Sequence, residues 1–174
     1  MLVRLPPAAP GQRIGLYGGS FNPAHAGHLH VSRMALRRLA LDRLWWLVSP
    51  ANPLKDMREL APLAGRMEGA RRVARDPRVA VSAFESEIGA RYTVESLRFV
   101  RARAPGLRFV WIMGADSLAG FHNWKGFREI AALMPIAVID RPGFTLKGPN
   151  APPAWIFLHG PRSSLSSTEL RKHR

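Results

Sequence analysis

His25 and His28, two imidazoles three residues apart, close the stretch Gly18-Gly19-Ser20-Phe21-Asn22-Pro23-Ala24-His25-Ala26-Gly27-His28. This stretch follows the apolar run Ile14 to Tyr17 and precedes a helix-like pattern beginning at His28, which predicts a strand, a glycine turn and a helix start. Glycines allow tight turning and close approach of a ligand to the backbone. The first-turn amides of a helix offer donors at the positive end of its dipole. A neutral imidazole donates to a phosphate oxygen, and a protonated one adds charge. The chemistry predicted is therefore phosphate recognition. It is not that of a Walker A loop, since no Gly-Lys-Ser/Thr follows, and the complete G-x-G-x-x-G spacing is missing. Two plainer readings compete. One is an ordinary solvated helix start. The other is a metal site with His30 as third ligand, although the chain has no cysteine and no carboxylate lies close by in sequence, whereas zinc usually takes three or four N, S or O donors.

A second phosphate signal is Ser166-Ser167-Thr168-Glu169-Leu170-Arg171. Hydroxyls at a helix start cap it or meet an anion, and Arg171 brings a planar cationic fork. A plain capped helix is the alternative for this segment taken alone.

These residues need a scaffold, and the pattern of apolar runs supplies one. Strands are predicted at Ile14 to Tyr17, Leu44 to Ser49, Val79 to Phe84, Arg108 to Met113, Ile136 to Asp140 and Trp155 to Leu158, with helical patterns or loops between them. Such alternation predicts an α/β fold: a Rossmann-like, doubly wound parallel sheet of about six strands. In the first helix Val31, Met34, Ala35 and Leu39 form one apolar face while Arg33 and Arg37 point away. A second helix is predicted over Ala61 to Arg75, and a third over Val94 to Arg103 with Thr93 as its N-cap and Pro105-Gly106 as its stop. The Pro- and Gly-rich stretch from Pro142 to Pro153 reads as a loop between the last two strands. Ligands of open parallel sheets bind at the carboxyl ends of the strands. Gly18 to His28, Pro50 to Lys55, Gly114 to Trp124, Arg141 and Ser163 to Arg171 all fall there.

Length and composition bound the rest. The 174 residues, 47% hydrophobic, suit one domain over 1–174, with 1–12 as an N-terminal extension. No apolar run reaches the roughly 18 residues of a membrane span, and Pro6, Pro7 and Pro10 interrupt any secretory apolar region. The absence of cysteine excludes disulfides and thiol chemistry, and a soluble cytoplasmic protein without a membrane partner is expected. The 26 Lys and Arg against 12 Asp and Glu give a formal charge of +14, which attracts polyanions. Most of the arginines, among them Arg33, Arg37, Arg38, Arg71, Arg72, Arg75, Arg98, Arg101 and Arg103, read as a solvated surface. No RNA-recognition aromatic motif, C2H2 spacing or heptad-linked basic region accompanies them.

The His25-Ala26-Gly27-His28 stretch resembles the H-x-G-H signature of the nucleotidylyltransferase superfamily, and Ser166 to Arg171 resembles its S-S-T-x-[IL]-R signature. Further matches point to the bacterial nicotinate mononucleotide adenylyltransferases. Gly114-Ala115-Asp116-Ser117 with Phe121-His122-Asn123-Trp124-Lys125 is similar to that family's G-A-D-S and F-x-x-W-K. Asn52-Pro53-Leu54-Lys55 resembles its N-P-x-K loop, and Tyr92-Thr93-Val94-Glu95-Ser96-Leu97 its Y-T-x-x-T-L helix start. The resemblance runs from about Ile14 to Arg171 in five ordered motifs.

The resemblance implies adenylyl transfer from ATP to nicotinate mononucleotide, giving nicotinate adenine dinucleotide and pyrophosphate in NAD biosynthesis. It implies His25, His28 and Arg171 as catalytic residues. ATP would be bound by Gly18, Gly19, Ser20, Phe21, His25, His28, Gly114, Asp116, Ser166, Ser167, Thr168 and Arg171, with Ser167 and Arg171 on the leaving phosphates. Asp116 would meet a ribose hydroxyl or organise its loop. Nicotinate mononucleotide would be bound by Lys55, Tyr92, Thr93 and Trp124. In this assignment Trp124 stacks on the pyridine ring, although core packing is its alternative. The amides around Tyr92 and Thr93 meet the nicotinate carboxylate. Lys55 meets the acceptor phosphate or is simply exposed. Mg2+ is expected with ATP, held by phosphates and water and by no assigned protein ligand.

The chain departs from the family pattern in three places. Ser96 replaces the second Thr, and Leu165 stands where Ile is frequent. The sequence stops three residues after Arg171, where family members usually continue, so Arg171 is expected to be less protected from fraying. Other readings are a phosphopantetheine adenylyltransferase, which Trp124 and Tyr92-Thr93 argue against, an inactive relative, and a nucleic-acid-binding domain motivated by charge alone.

Overall fold

The structure, a computed structural model, describes residues 3–50, 60–140 and 155–159. The loop containing Lys55, the stretch from Arg141 to Pro153, and Ser166, Ser167, Thr168 and Arg171 lie outside the described residues.

The short apolar runs become six strands: β1 (Arg13–Gly19), β2 (Arg43–Val48), β3 (Val79–Ser82), β4 (Arg108–Gly114), β5 (Ile136–Ile139) and β6 (Trp155–Leu158). They form one sheet in the order β3-β2-β1-β4-β5-β6, with every adjacent pair parallel. Leu16 of β1 lies beside Trp45 on one side and Trp111 on the other. The direction of winding reverses between β1 and β4, the crevice where such sheets place their ligands.

Alternation along each strand divides the core between two faces, as a doubly wound sheet requires. Ile14, Leu16, Trp45, Leu47, Trp111, Met113, Ile136 and Val138 pack on one face with Val94, Leu97 and Val100 of α4 (Thr93–Arg103) and Ile130 of α6 (Phe127–Leu133). Tyr17, Leu44, Trp46, Val48, Ile112 and Ile139 pack on the other. Their partners there are Val31, Ala35 and Leu36 of α1 (Ala26–Arg38) and Met67 and Ala70 of α2 (Leu63–Val73). In α1 the expected apolar face is buried or half-buried, while Arg33 and Arg37 are exposed. The N-terminal stretch also belongs to the packed body. Val3, Leu5 and Ala8 lie against the first core face, and the Arg108 N–H donates to the Gln12 carbonyl at 2.9 Å.

Several boundaries differ from the sequence reading for identifiable reasons. Gly18 and Gly19 extend β1 and do not form the turn. The positive φ there falls on Phe21 (47°), just before a cis Asn22-Pro23 bond. The third strand ends at Ser82, because Phe84 begins the short helix α3 (Phe84–Glu87). Helix α2 covers Leu63–Val73, with Pro62 at its N-cap in extended backbone. Tyr92, and not Thr93, is the N-cap of α4, since Glu95 folds back to accept the Tyr92 N–H at 3.2 Å. No helix among the described residues is long and apolar enough to cross a membrane.

Candidate active site

At the carboxyl end of β1 the glycines are set by packing. A Cβ on Gly18 would stand 2.5 Å from the Trp111 ring, and one on Gly19 would stand 3.3 Å from the Phe21 ring. Phe21, left-handed and 1% exposed, lies stacked on Trp46 at 4.9 Å and tilted against His28 at 4.6 Å. Tyr17 closes the cluster at 5.9 Å from the Phe21 and His28 rings. His28 therefore rests in an aromatic surround, which fixes its ring plane.

The two histidines cap α1 reciprocally. His25, extended at φ −152° and ψ 175°, accepts the Gly27 N–H on Nδ1 at 3.0 Å, and His28 Nδ1 accepts the His25 N–H at 3.2 Å. The hydrogen-bond pattern assigns both rings to the tautomer with hydrogen on Nε2. Their centroids are 4.0 Å apart. Two N–H donors of neutral imidazoles are thus set side by side at a helix N-terminus, an arrangement complementary to anionic oxygen. Behind them the Ser32 hydroxyl donates to the His28 carbonyl at 2.8 Å and accepts from Trp46 Nε1 at 2.8 Å, tying α1 to β2.

Sequence reasoning missed Arg66. The residue is 3% exposed, and its guanidinium donates to four main-chain carbonyls: Ala61 at 2.8 Å, Ser20 at 2.8 Å, Ser49 at 2.8 Å and Pro50 at 3.0 Å. No carboxylate among the described residues pairs with it, and burial lowers its pKa from the ordinary arginine value. In sequence it is one arginine among many on a polar helix, and periodicity carries no signal for a side chain that turns back to meet three separate loop segments.

Beyond the switch point, Gly114 ends β4 and is the N-cap of α5 (Ala115–Leu118), which carries Asp116. A 3-10 turn, Phe121–Asn123, leads to Trp124. Half-buried Trp124 lies edge-on to Trp111 at 6.4 Å and to Phe121 at 5.4 Å. Buried Phe121 supplies the core side of this segment. Lys125 Nζ sits 4.3 Å from the centroid of the Tyr92 ring, bringing the Trp124 segment onto the N-terminus of α4. Gly126, at φ +69°, fits against the Val94 methyls, where a Cβ would come within 3.2 Å. The structure thus gathers Trp124, Tyr92 and Thr93 into one neighbourhood. Trp111 joins that neighbourhood to Gly18 and the histidine loop.

The Tyr92 amide, however, is engaged. Glu95 accepts from the N–H groups of Arg91 at 2.8 Å and Tyr92 at 3.2 Å, and these donors, Arg91 first, hold its carboxyl below the ordinary range. On the buried side of α4, Ser96 donates to Glu85 Oε1 at 2.6 Å. Burial raises the Glu85 pKa, opposed by the Ser96 hydrogen bond. Among the described residues no group of three His, Cys, Asp or Glu side chains is placed to hold a metal ion. The site is rich in donors, which fits a divalent ion carried on phosphate oxygens better than one caged by carboxylates.

A parallel sheet with this strand order and a donor-lined end at its switch point defines a nucleotide-handling α/β domain, and the cytidylyltransferase-like family model matches residues 16–173. A relative from Methylorubrum extorquens (strain PA1), described as "Probable nicotinate-nucleotide adenylyltransferase", is 60% identical over 182 aligned residues, covering 91% of this chain and 98% of the relative. One from Mesorhizobium japonicum, with the same description, is 53% identical over 97% of this chain and 98% of its own length. The chain belongs to the nicotinate-nucleotide adenylyltransferases of the cytidylyltransferase-like family. The solved Plasmodium falciparum nicotinic acid mononucleotide adenylyltransferase complexed with NaAD has the same fold. Its TM-score is 0.78 at 18% identity, over 92% of this chain and 83% of that one.

Proposed function

We propose that this protein transfers the adenylyl group of ATP to nicotinate mononucleotide, giving nicotinate adenine dinucleotide and pyrophosphate. The observation that carries this reading is the pair of reciprocally capped imidazoles, His25 and His28, at the β1 exit beside the β1/β4 switch point. An oxygen of the acceptor 5′-phosphate attacks the α-phosphorus of ATP. The bond from that phosphorus to the bridging oxygen breaks, and pyrophosphate leaves with the electron pair. A phosphate monoester has a second pKa near about 6, so the nucleophile is largely dianionic at neutral pH and needs no strong base. What the protein supplies is in-line positioning and stabilisation of the transferring charge.

His25 and His28 donate from Nε2 to phosphate oxygens of ATP near the reacting phosphorus. Gly18, Gly19, Ser20 and Phe21 shape the loop over the nucleotide, and Gly114 and Asp116 border it from β4. Ser166, Ser167, Thr168 and Arg171 are proposed to hold the leaving phosphates, and Lys55 the acceptor phosphate. Trp124 stacks on the pyridinium ring, with Lys125 and the α4 N-terminus beside it. Because Glu95 already accepts the Tyr92 amide, Thr93 is the better candidate of the two for the nicotinate carboxylate. With no protein ligand assigned to it, Mg2+ carried on the ATP phosphate oxygens would supply neutralisation of their charge. The reaction is proposed to take place in the cytoplasm.

Pyrophosphate release with ATP, Mg2+ and nicotinate mononucleotide tests the reading. His28→Ala is expected to lower kcat roughly a hundredfold, or about 3 kcal/mol, as loss of one preorganised donor does. Turnover unaffected by this change would refute the assignment.

A further inference from the structure

We infer that Arg66 is a positioning residue for this reaction, holding the loop after β1, which leads to His25, in fixed relation to the exit of β2. The inference rests on the proposed adenylyl transfer and adds a residue to it. The geometry is specific. One guanidinium joins Ser20 of the phosphate-side loop, Ser49 and Pro50 at the end of β2, and Ala61 at the approach to α2. The planar fork presents donors in several fixed directions at once, which a lysine ammonium on a flexible stem does not reproduce.

The neighbouring bonds tie the same segments together. The Ser49 N–H donates to the Gly19 carbonyl at 3.0 Å, and the Ala61 N–H donates to Asn22 Oδ1 at 3.3 Å. Each of these spans two segments, whereas Arg66 spans three. A guanidinium remains protonated in proteins, so its charge is buried with carbonyl dipoles as its described partners. The Ser20, Ser49, Pro50 and Ala61 carbonyl oxygens are satisfied together by this one group. The residues that read phosphate are thus held from behind, and the β2 exit, from which the chain continues toward Lys55, is held by the same group.

The role predicts a loss in turnover with little loss in binding. Arg66→Met keeps most of the stem and removes the fork and the charge, and Arg66→Lys keeps the charge without the fork. Steady-state kcat and KM for ATP and nicotinate mononucleotide are measured for each. They are normalised to the folded fraction read by near-ultraviolet circular dichroism at the assay temperature. Normalised kcat is expected to fall on the order of a hundredfold in Arg66→Met, the effect of a misplacement of about 1 Å. A clear loss is also expected in Arg66→Lys, with both KM values changed by less than about threefold. Partial restoration of an Arg66→Ala variant by millimolar ethylguanidinium, and not by ethylammonium, is the second readout.

Normalised kcat within about twofold of the native protein in Arg66→Lys or Arg66→Met would overturn the inference. So would failure of every variant to fold even in the cold, which would make Arg66 a residue of stability. A native protein that folds but makes no dinucleotide is a different result, and it would remove the functional reading itself.

Discussion

Trp111 fills the space that a side chain on Gly18 would need, and this contact links the loop after β1 to the neighbourhood of Trp124. Gly18→Ala places a methyl 2.5 Å from the indole, so the ring must move. Overpacking of this kind costs about 1–3 kcal/mol. Because Trp111 also lies against Trp124, the displacement should raise KM for nicotinate mononucleotide more than KM for ATP. Urea unfolding and steady-state kinetics of the variant check both parts; unchanged stability would show that Trp111 yields freely. His25 permits a sharper separation of structure from chemistry. His25→Asn keeps a good N-cap, whereas His25→Ala loses about 1 kcal/mol of helix-cap stability. If the imidazole meets phosphate, both variants lose activity while only the alanine variant loses stability. An active asparagine variant would reduce His25 to a cap. The place of the two histidines at the start of α1 was legible in the sequence because their spacing and the following apolar period were visible. Their reciprocal cap, which fixes the tautomer, is a matter of side-chain geometry that spacing does not give, and the left-handed Phe21 beneath them stacks on Trp46, a residue brought in by β2.

Element α4 carries the clearest pH signature. Glu85 is buried against it and accepts from Ser96, and its pKa is raised by that burial. The folded state therefore binds the Glu85 proton more tightly than the unfolded chain. The resulting contribution to stability is complete below the ordinary glutamate value of 4.5 and is lost as pH rises from there through the folded value. Glu85→Gln keeps an acceptor for Ser96 and cannot ionise. Its melting temperature should gain on that of the native protein as pH rises above 4.5, and a difference independent of pH would contradict the assignment. At this scale the sequence was informative about where α4 lies and which face it buries, since Val94, Leu97 and Val100 recur at helical spacing. It did not distinguish Tyr92 from Thr93 as the cap. That choice follows from Glu95 reaching back to two amides, a competition between neighbouring donors that residue preferences alone do not resolve. The strand runs were legible because a sheet covered on both sides demands near-continuous apolar runs, such as Leu44 to Val48 and Ile136 to Ile139.

At the scale of the whole molecule, the formal charge is +14, and the arginines among the described residues differ sharply in exposure. Arg33, Arg37, Arg38, Arg71, Arg72, Arg98, Arg101 and Arg103 are exposed, consistent with a solvated surface that concentrates anionic substrates. Arg66 is buried behind the loop that would bind them. Composition reported the excess of charge, but only the fold separates the arginine that organises the site from those that surround it. The sheet order places the β1 and β4 exits side by side. As a result, the described stretches Gly18 to His28 and Gly114 to Trp124 lie at neighbouring strand exits, and a shared crevice is what direct transfer between two nucleotides requires. The most direct test is pyrophosphate release by the folded protein with ATP and Mg2+, comparing nicotinate mononucleotide, nicotinamide mononucleotide and phosphopantetheine as acceptors, with His28→Ala alongside. The account predicts fastest turnover with the nicotinate acceptor and a loss of about a hundredfold in the variant. Preference for phosphopantetheine, or turnover indifferent to the loss of His28, would contradict it.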